Sequence, residues 1–214
     1  MTGPLLLGHR GARASRQIPE NTLASFELCL QHGCDGFEFD VRLSGDGQLV
    51  ICHDATVGGM KIESTAAKSL PLPTLEDVLR QFAQRAFLDV ELKVAGLGLQ
   101  TLAELRKYPP QKGYVVSSFL PDALTAIHDL DPAIPLGFLC DTRGQLRGWR
   151  GMPAEWVIPQ FKLTDGELVE LVHAAGKRIM VWTVNRDDRM REFAASGVDA
   201  IISDETELLV RSLR

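Results

Sequence analysis

Residues 178–213 read RIMVWTVNRDDRMREFAASGVDAIISDETELLVRSL. An apolar run (178–184) gives way to a charged stretch with helical spacing, and a second apolar run (199–204) meets a second such stretch. A strand followed by a helix, twice over, is the repeat of a parallel α/β fold, because parallel neighbours need a crossover and a helix supplies it. The unit recurs upstream. AFLDVELK (86–93) precedes LGLQTLAELRKY, GYVVSSF (113–119) precedes PDALTAIHDL, and WVIPQF (156–161) precedes TDGELVELVHAAG. IPLGFLC (134–140) precedes only a short irregular segment around Leu146, so the weakest helix is expected within 141–155.

At the front, Leu5-Leu6-Leu7 begin a strand that runs into Gly8-His9-Arg10-Gly11, and a helix over 22–32 follows, capped by Asn21 or Thr22 and stopped by Gly33. GFEFDVRL (36–43), the turn Gly45-Asp46-Gly47 and LVICHD (49–54) read as strand, tight turn and return strand sharing one position. Residues 55–73 are a loop of functional length, and Thr74 caps a helix over 75–85. The count is eight units, which predicts a closed (β/α)8 TIM barrel, compact and with short loops, formed by residues 1–214 as a single domain. An open doubly wound sheet is the structural rival, but no Gly-x-Gly-x-x-Gly follows the first strand.

Composition narrows the function. With 23 Lys+Arg against 28 Asp+Glu the chain is mildly acidic, and no basic stripe interleaved with aromatics offers a nucleic-acid footprint. No apolar run reaches the roughly 18 residues of a membrane span, and no leader pattern is present, so the default expectation is a cytoplasmic protein. Cys29, Cys34, Cys52 and Cys140 form no Cys-x-x-Cys pair and read as reduced residues in or near the core.

In a barrel of this kind the C-terminal strand ends share one cup, and polar residues within apolar strands gather there. Glu38 and Asp40, two apart, share a face opposite Phe37, Phe39 and Val41; Glu91 and Lys93 do the same opposite Leu88, Val90 and Leu92. Carboxylates so placed repel one another unless something positive lies between them, and hard divalent cations are held by such oxygens, which makes Glu38, Asp40 and Glu91 candidate metal ligands. Glu91 alone could equally pair with Lys93 or Arg42, and Asp89, deeper on the same face, reads as a buried network member. His9 and His53 offer one group to take a proton and one to give it. Arg10 and Lys93 are cations suited to phosphoryl oxygens. Trp182, and with a weaker claim Phe119, could wall the pocket or simply be buried, whereas His32, His128 and His173 lie on or beside helices and read as structural. Together these groups suit metal-assisted cleavage of a phosphate ester better than enolisation of a carbonyl compound.

The ordered set GHRG (8–11), PENTLASF (19–26), GCDGFEFDVRLSGDGQLVICHD (33–54), PLPTLEDVL (71–79), LDVELK (88–93), SSF (117–119), WTVN (182–185) and GVDAIISD (197–204) resembles the glycerophosphodiester phosphodiesterase family over nearly the whole chain. The resemblance implies a barrel that hydrolyses a small-molecule glycerophosphodiester to glycerol 3-phosphate and an alcohol with a divalent cation, Mg2+ or Ca2+. It implies Glu38, Asp40 and Glu91 on the metal, His9 and His53 as the acid/base pair, and Arg10 and Lys93 on the phosphate. It also implies that Glu20 and Asn21 support the pocket floor near His9 or the metal, and that Trp182 lines the substrate site. Ser44 replaces the usual threonine, the usual arginine soon after His53-Asp54 is missing, and the closing strand ends Ser203-Asp204-Glu205 rather than Thr-Asp-x-Pro. Those departures bear on the head group and leave two alternatives: a related diesterase for lysophospholipids or other glycerol-containing diesters, and a non-catalytic barrel that binds phosphate-bearing ligands.

Overall fold

The computed structural model describes residues 3–214. Eight parallel strands form a closed ring: β1 (Leu5–His9), β2 (Gly36–Leu43), β3 (Phe87–Leu92), β4 (Tyr114–Ser118), β5 (Leu136–Cys140), β6 (Trp156–Pro159), β7 (Arg178–Val181) and β8 (Ala200–Ser203). Each pairs with its neighbour in chain order, and β1 closes the ring by pairing with both β2 and β8. The helices between them are α1 (Leu23–Gln31), α2 (Leu75–Phe82), α3 (Gly98–Lys107), α4 (Pro121–Leu130), α5 (Arg143–Arg147), α6 (Gly166–Ala174), α7 (Asp187–Ser196) and α8 (Thr206–Leu213). The barrel expectation therefore holds, including the weak fifth helix: α5 has 5 residues, held by a capping box between Thr142 and Gln145, and is followed by one short turn at Trp149–Gly151. Among the described residues no helix is long and apolar enough to cross a membrane.

The period-2 alternation of the strands divides the interior into two cores. One side chain in two points outward and packs under the helices, as Leu6, Phe37, Phe39, Val41, Leu88, Val90 and Leu92 do. Phe26 of α1 stacks on Phe37 at 4.3 Å between centroids, and Phe82 of α2 meets Phe37 edge-on at 5.1 Å. Each such ring stabilises the fold by about 2–3 kcal/mol through burial, with about 1 kcal/mol more from a well-placed aromatic pair. The inward set, Leu7, Phe87, Val115, Leu139, Trp156, Ile158, Met180, Ala200 and Ile202, fills the barrel floor. Gly36 permits the closest strand approach: a Cβ there would lie 1.9 Å from the Phe87 carbonyl oxygen.

Above the apolar floor the inward positions of β1 to β4 turn polar: His9, Glu38, Asp40, Asp89, Glu91 and Ser117. The register aligns His9 with Glu38, Glu38 with Asp89, and Asp40 with Glu91, so one sector of the ring carries all the carboxylates.

The return strand is shorter than 49–54. It spans Leu49–Ile51, pairs antiparallel with Val41–Leu43 and stays outside the ring. The last bond in this register runs from the Cys52 N–H to the Asp40 carbonyl, Ile51 donates outward to the Pro73 carbonyl, and the chain then leaves the sheet. Residues 55–73 fold into a small hairpin (Thr56–Val57 with Met60–Lys61) and two short turns, with Ile62 and Leu70 buried against Val50. The helix expected over 75–85 ends at Phe82, its start fixed by a reciprocal Thr74–Asp77 capping box.

Candidate active site

The first groups come from the turn that follows β1. A Cβ at Gly8 would lie 2.4 Å from the Gly11 carbonyl oxygen, so the chain can fold this tightly only with glycine there. Arg10 (φ 53°) and Asn21 (φ 56°) both occupy the left-handed region, a strain on the order of 1–3 kcal/mol per residue that surrounding contacts must hold. Those contacts are present. The Arg10 N–H donates to Glu38 Oε2 at 3.0 Å, its carbonyl accepts from the Asn21 N–H at 3.0 Å, and Ser25 Oγ donates to the same carbonyl at 3.1 Å.

Glu38, Asp40 and Glu91 are buried, and each presents an oxygen such that the three lie within 4.8 Å of one another. Glu38 Oε1 is enclosed by protein yet has no hydrogen-bond or ion-pair partner among the described residues, and Asp40 Oδ1 has only the Lys93 ammonium. Burial pushes the Glu38 carboxyl well above its ordinary range, and the charges of Asp40 and Glu91 add to that. Burial, then Asp40, pushes Glu91 up to about 7. Asp40 behaves oppositely: burial would raise it, but Lys93, Arg10 and the Asn21 amide together hold it below the usual carboxylate value. Lys93 Nζ lies 2.6 Å from Glu91 Oε1 and 3.2 Å from Asp40 Oδ1, Arg10 Nε lies 3.2 Å from Asp40 Oδ2, and Asn21 Nδ2 donates to Asp40 Oδ2 at 2.8 Å. Three crowded carboxylates, two with elevated proton affinity and one, Glu38, with an unpartnered buried oxygen, are a donor set that fits a hard divalent cation. Beneath them Asp89 accepts from Ser117 Oγ, and burial pushes it up to about 7.

His9 is fixed from the far side of the ring closure. Its Nδ1 lies 2.7 Å from Asp204 Oδ1, which assigns the proton of neutral His9 to Nδ1 and leaves the lone pair on Nε2, 3.9 Å from Glu38 Oε2. Asp204 accepts from Asn185 Nδ2 at 2.6 Å and Arg13 Nη1 at 3.1 Å, and Asn185 Oδ1 accepts the Asp204 N–H. Burial would raise Asp204, but His9, Asn185 and Arg13 outweigh it and hold the carboxyl far below its ordinary range. Neither Asp204 nor Asn185 is a site candidate in the sequence reading, although both fall within its matching stretches. The signal was there: Asp204 directly follows β8, and pairing Gly8 with Ser203 sets it beside His9.

His53 sits differently from the expectation that it closes a strand. It lies two residues beyond Ile51, on the outer return, with its ring 38% exposed and Nδ1 2.8 Å from Asp54 Oδ1. Its backbone is held near Asp40, because Arg42 donates twice to the His53 carbonyl. Glu20 also departs from expectation. It lies at the rim rather than the floor, with its carboxylate shared between Arg10 Nη1 (2.7 Å) and Arg13 Nε (2.5 Å), because a side chain 36% exposed keeps its charge near water. Phe119 and Trp182 meet edge-on at 5.5 Å, Trp182 Nε1 donates to the Ile158 carbonyl, and Lys93 Nζ stands 5.9 Å from the Phe119 ring centre. The cup thus sets an aromatic wall beside a carboxylate cluster, two cations and an imidazole oriented by a carboxylate.

A family model described as Glycerophosphoryl diester phosphodiesterase family matches residues 9–114 and 61–208. A glycerophosphodiester phosphodiesterase of Caldanaerobacter subterraneus is 29% identical, with 98% of each chain covered. Among solved structures, an Oleispira antarctica phosphodiesterase in complex with the product sn-glycerol-3-phosphate is 28% identical with a TM-score of 0.85, covering 98% of this chain and 96% of that one. A Thermotoga maritima glycerophosphodiester phosphodiesterase is 25% identical with a TM-score of 0.84, covering 99% of both.

Proposed function

Because the chain belongs to the glycerophosphoryl diester phosphodiesterase family, we propose that it hydrolyses glycerophosphodiesters to glycerol 3-phosphate and an alcohol, using a divalent cation and the pair His9 and His53. The observation that carries this reading is the convergence of Glu38, Asp40 and Glu91 within 4.8 Å, beside a His9 whose Nδ1 faces Asp204.

Glu38, Asp40 and Glu91 would hold the cation, Mg2+ or Ca2+, which when bound offsets negative charge building up on the phosphate. Arg10 and Lys93 bring fixed positive charge to the same place, so a diester's non-bridging oxygens are drawn there and the more negative transition state is favoured over the ground state. His9, with Nδ1 committed to Asp204, works through Nε2; His53, with its ring exposed and Nδ1 facing Asp54, is its counterpart. One takes a proton from the attacking nucleophile, which is either water or the neighbouring glycerol hydroxyl with water opening the cyclic phosphate in a second step, and the other gives a proton to the departing oxygen. Asn21 steadies Asp40, while Phe119 and Trp182 face the organic part of the ester. Bury, orient and exchange protons is the whole task of these side chains.

The test is release of glycerol 3-phosphate from glycerophosphocholine and glycerophosphoethanolamine by EDTA-treated protein resupplied with Mg2+ or Ca2+, with lysophosphatidylcholine run alongside. His9→Ala and Glu38→Ala serve as controls. Activity that needs the cation and vanishes in both variants is expected. Protein that binds cation but releases no glycerol 3-phosphate from either diester would overturn the reading.

A further inference from the structure

Arg13 belongs to no strand or helix and is 39% exposed, yet its guanidinium spans two carboxylates that serve different parts of the site. Its Nε lies 2.5 Å from Glu20 Oε2, whose other oxygen holds Arg10 Nη1 at 2.7 Å. Its Nη1 lies 3.1 Å from Asp204 Oδ1, the same oxygen that faces His9 Nδ1 at 2.7 Å. His9 and Arg10 are adjacent in the chain, so the contacts close a ring: His9, Asp204, Arg13, Glu20, Arg10 and back through one peptide bond. Glu38 Oε2 also lies against both halves, but it takes the Arg10 backbone N–H and stands 3.9 Å from His9 Nε2, so among the described residues only Arg13 ties the carboxylate partner of the His9 side chain to that of the Arg10 side chain; Asn185 touches only the Asp204 side and Asp40 only the Arg10 side.

Within the proposed hydrolysis, on which this step rests, we infer that Arg13 is a positioning residue that locks the His9 imidazole and the Arg10 guanidinium into one fixed relative geometry. The fork is what makes this work. Two separated nitrogens of a planar guanidinium meet two carboxylates on different sides at once in a fixed geometry, whereas a lysine ammonium is one compact point on a flexible stem and bridges two carboxylates only where they converge, as Lys93 does between Glu91 and Asp40. Ring closure matters because Arg10 is held at a positive φ: the backbone alone leaves its side chain free to swing out, and the Glu20–Arg13 link opposes that. Arg16, on the same loop and exposed, makes no ion pair among the described residues and supplies the internal control.

The experiment compares Arg13→Ala, Arg13→Lys and Arg16→Ala in the full chain, with glycerophosphocholine and the cation that supports wild-type turnover. Expected is a fall in kcat/KM of about tenfold to a hundredfold in Arg13→Ala, the scale of misplacing a reacting group by about 1 Å. Arg13→Lys should recover less than free guanidinium at sub-denaturing concentration restores to Arg13→Ala, and Arg16→Ala should match wild type. Independently of turnover, the His9 Nδ1–H proton resonance, assigned by its loss in Asp204→Asn, should shift or broaden in Arg13→Ala and not in Arg16→Ala. Wild-type inactivity would count against the hydrolysis alone, because the resonance still judges the positioning. An unchanged His9 resonance, unchanged kcat and KM, or an equal loss in Arg16→Ala overturns the inference; if Arg13→Ala does not fold, Arg13→Lys is held to the same standards.

Discussion

Stripping the cation should make stability fall as pH rises through the neutral range. In the folded, metal-free protein Asp89 rises from 3.8 to about 7 and Glu91 from 4.5 to about 7, both chiefly through burial, and both regain ordinary values on unfolding. Between pH 5 and 7 the unfolded chain has released these protons while the folded protein still holds them. The folded state therefore binds more protons, and the linkage relation makes stability decrease with pH across that window. If the pair holds a single extra proton, the slope is about 1.4 kcal/mol per pH unit, or about 3 kcal/mol from pH 5 to 7. Asp40 and Asp204, held low, contribute the opposite sign, but only below about pH 4. For a chain of this size 3 kcal/mol is about 6–12 °C in Tm. The assay is thermal unfolding in EDTA at pH 5, 6, 7 and 8, repeated with saturating Mg2+ or Ca2+, which binds the deprotonated carboxylates and should flatten or reverse the slope. Asp89→Asn keeps an acceptor for Ser117 Oγ and should raise the metal-free Tm at pH 8. A Tm in EDTA that is flat or rises from pH 5 to 7, or an Asp89→Asn protein no more stable than wild type at pH 8, would refute the reasoning.

Asp204→Asn should lower kcat by about a hundredfold, because it removes the charge that fixes the His9 tautomer, while cation binding measured by calorimetry stays within a few-fold of wild type. Gly36→Ala should cost more than about 3 kcal/mol in urea unfolding or abolish soluble expression, since its Cβ would collide with the Phe87 carbonyl of the neighbouring strand. The Cys140 thiol, pushed up to about 12 by burial, should resist iodoacetamide at pH 8 until the protein is denatured, as mass spectrometry of labelled peptides would read.

The barrel was legible because its strands and helices differ in period, and every apolar run longer than four residues that precedes a helical stretch is a ring strand. Residues 49–54 exceeded that logic: Leu49, Val50 and Ile51 pack like a strand, but the pairing ends after the Cys52 bond to Asp40, and no local pattern announces it. The carboxylates could be read from alternation on single strands. Asp204 and Arg13 could not be read that way, for their partners lie 195 and 191 residues away, and only the closing register brings them together. Glu20 does not share the depth of its neighbour in PENT, because the left-handed Asn21 turns its own side chain inward and leaves Glu20 facing out to the arginines.

The ring closure has a consequence for how the protein is made. Synthesis runs from the N-terminus, so His9 leaves the ribosome long before the residues that fix it. A nascent chain halted after β7 already contains Glu38, Asp40, Glu91 and both histidines, yet β1 has no β8 beside it and His9 has no Asp204. Such a chain carries all three candidate cation ligands before it carries the carboxylate that orients the imidazole. The candidate site is complete only when the barrel's two ends meet.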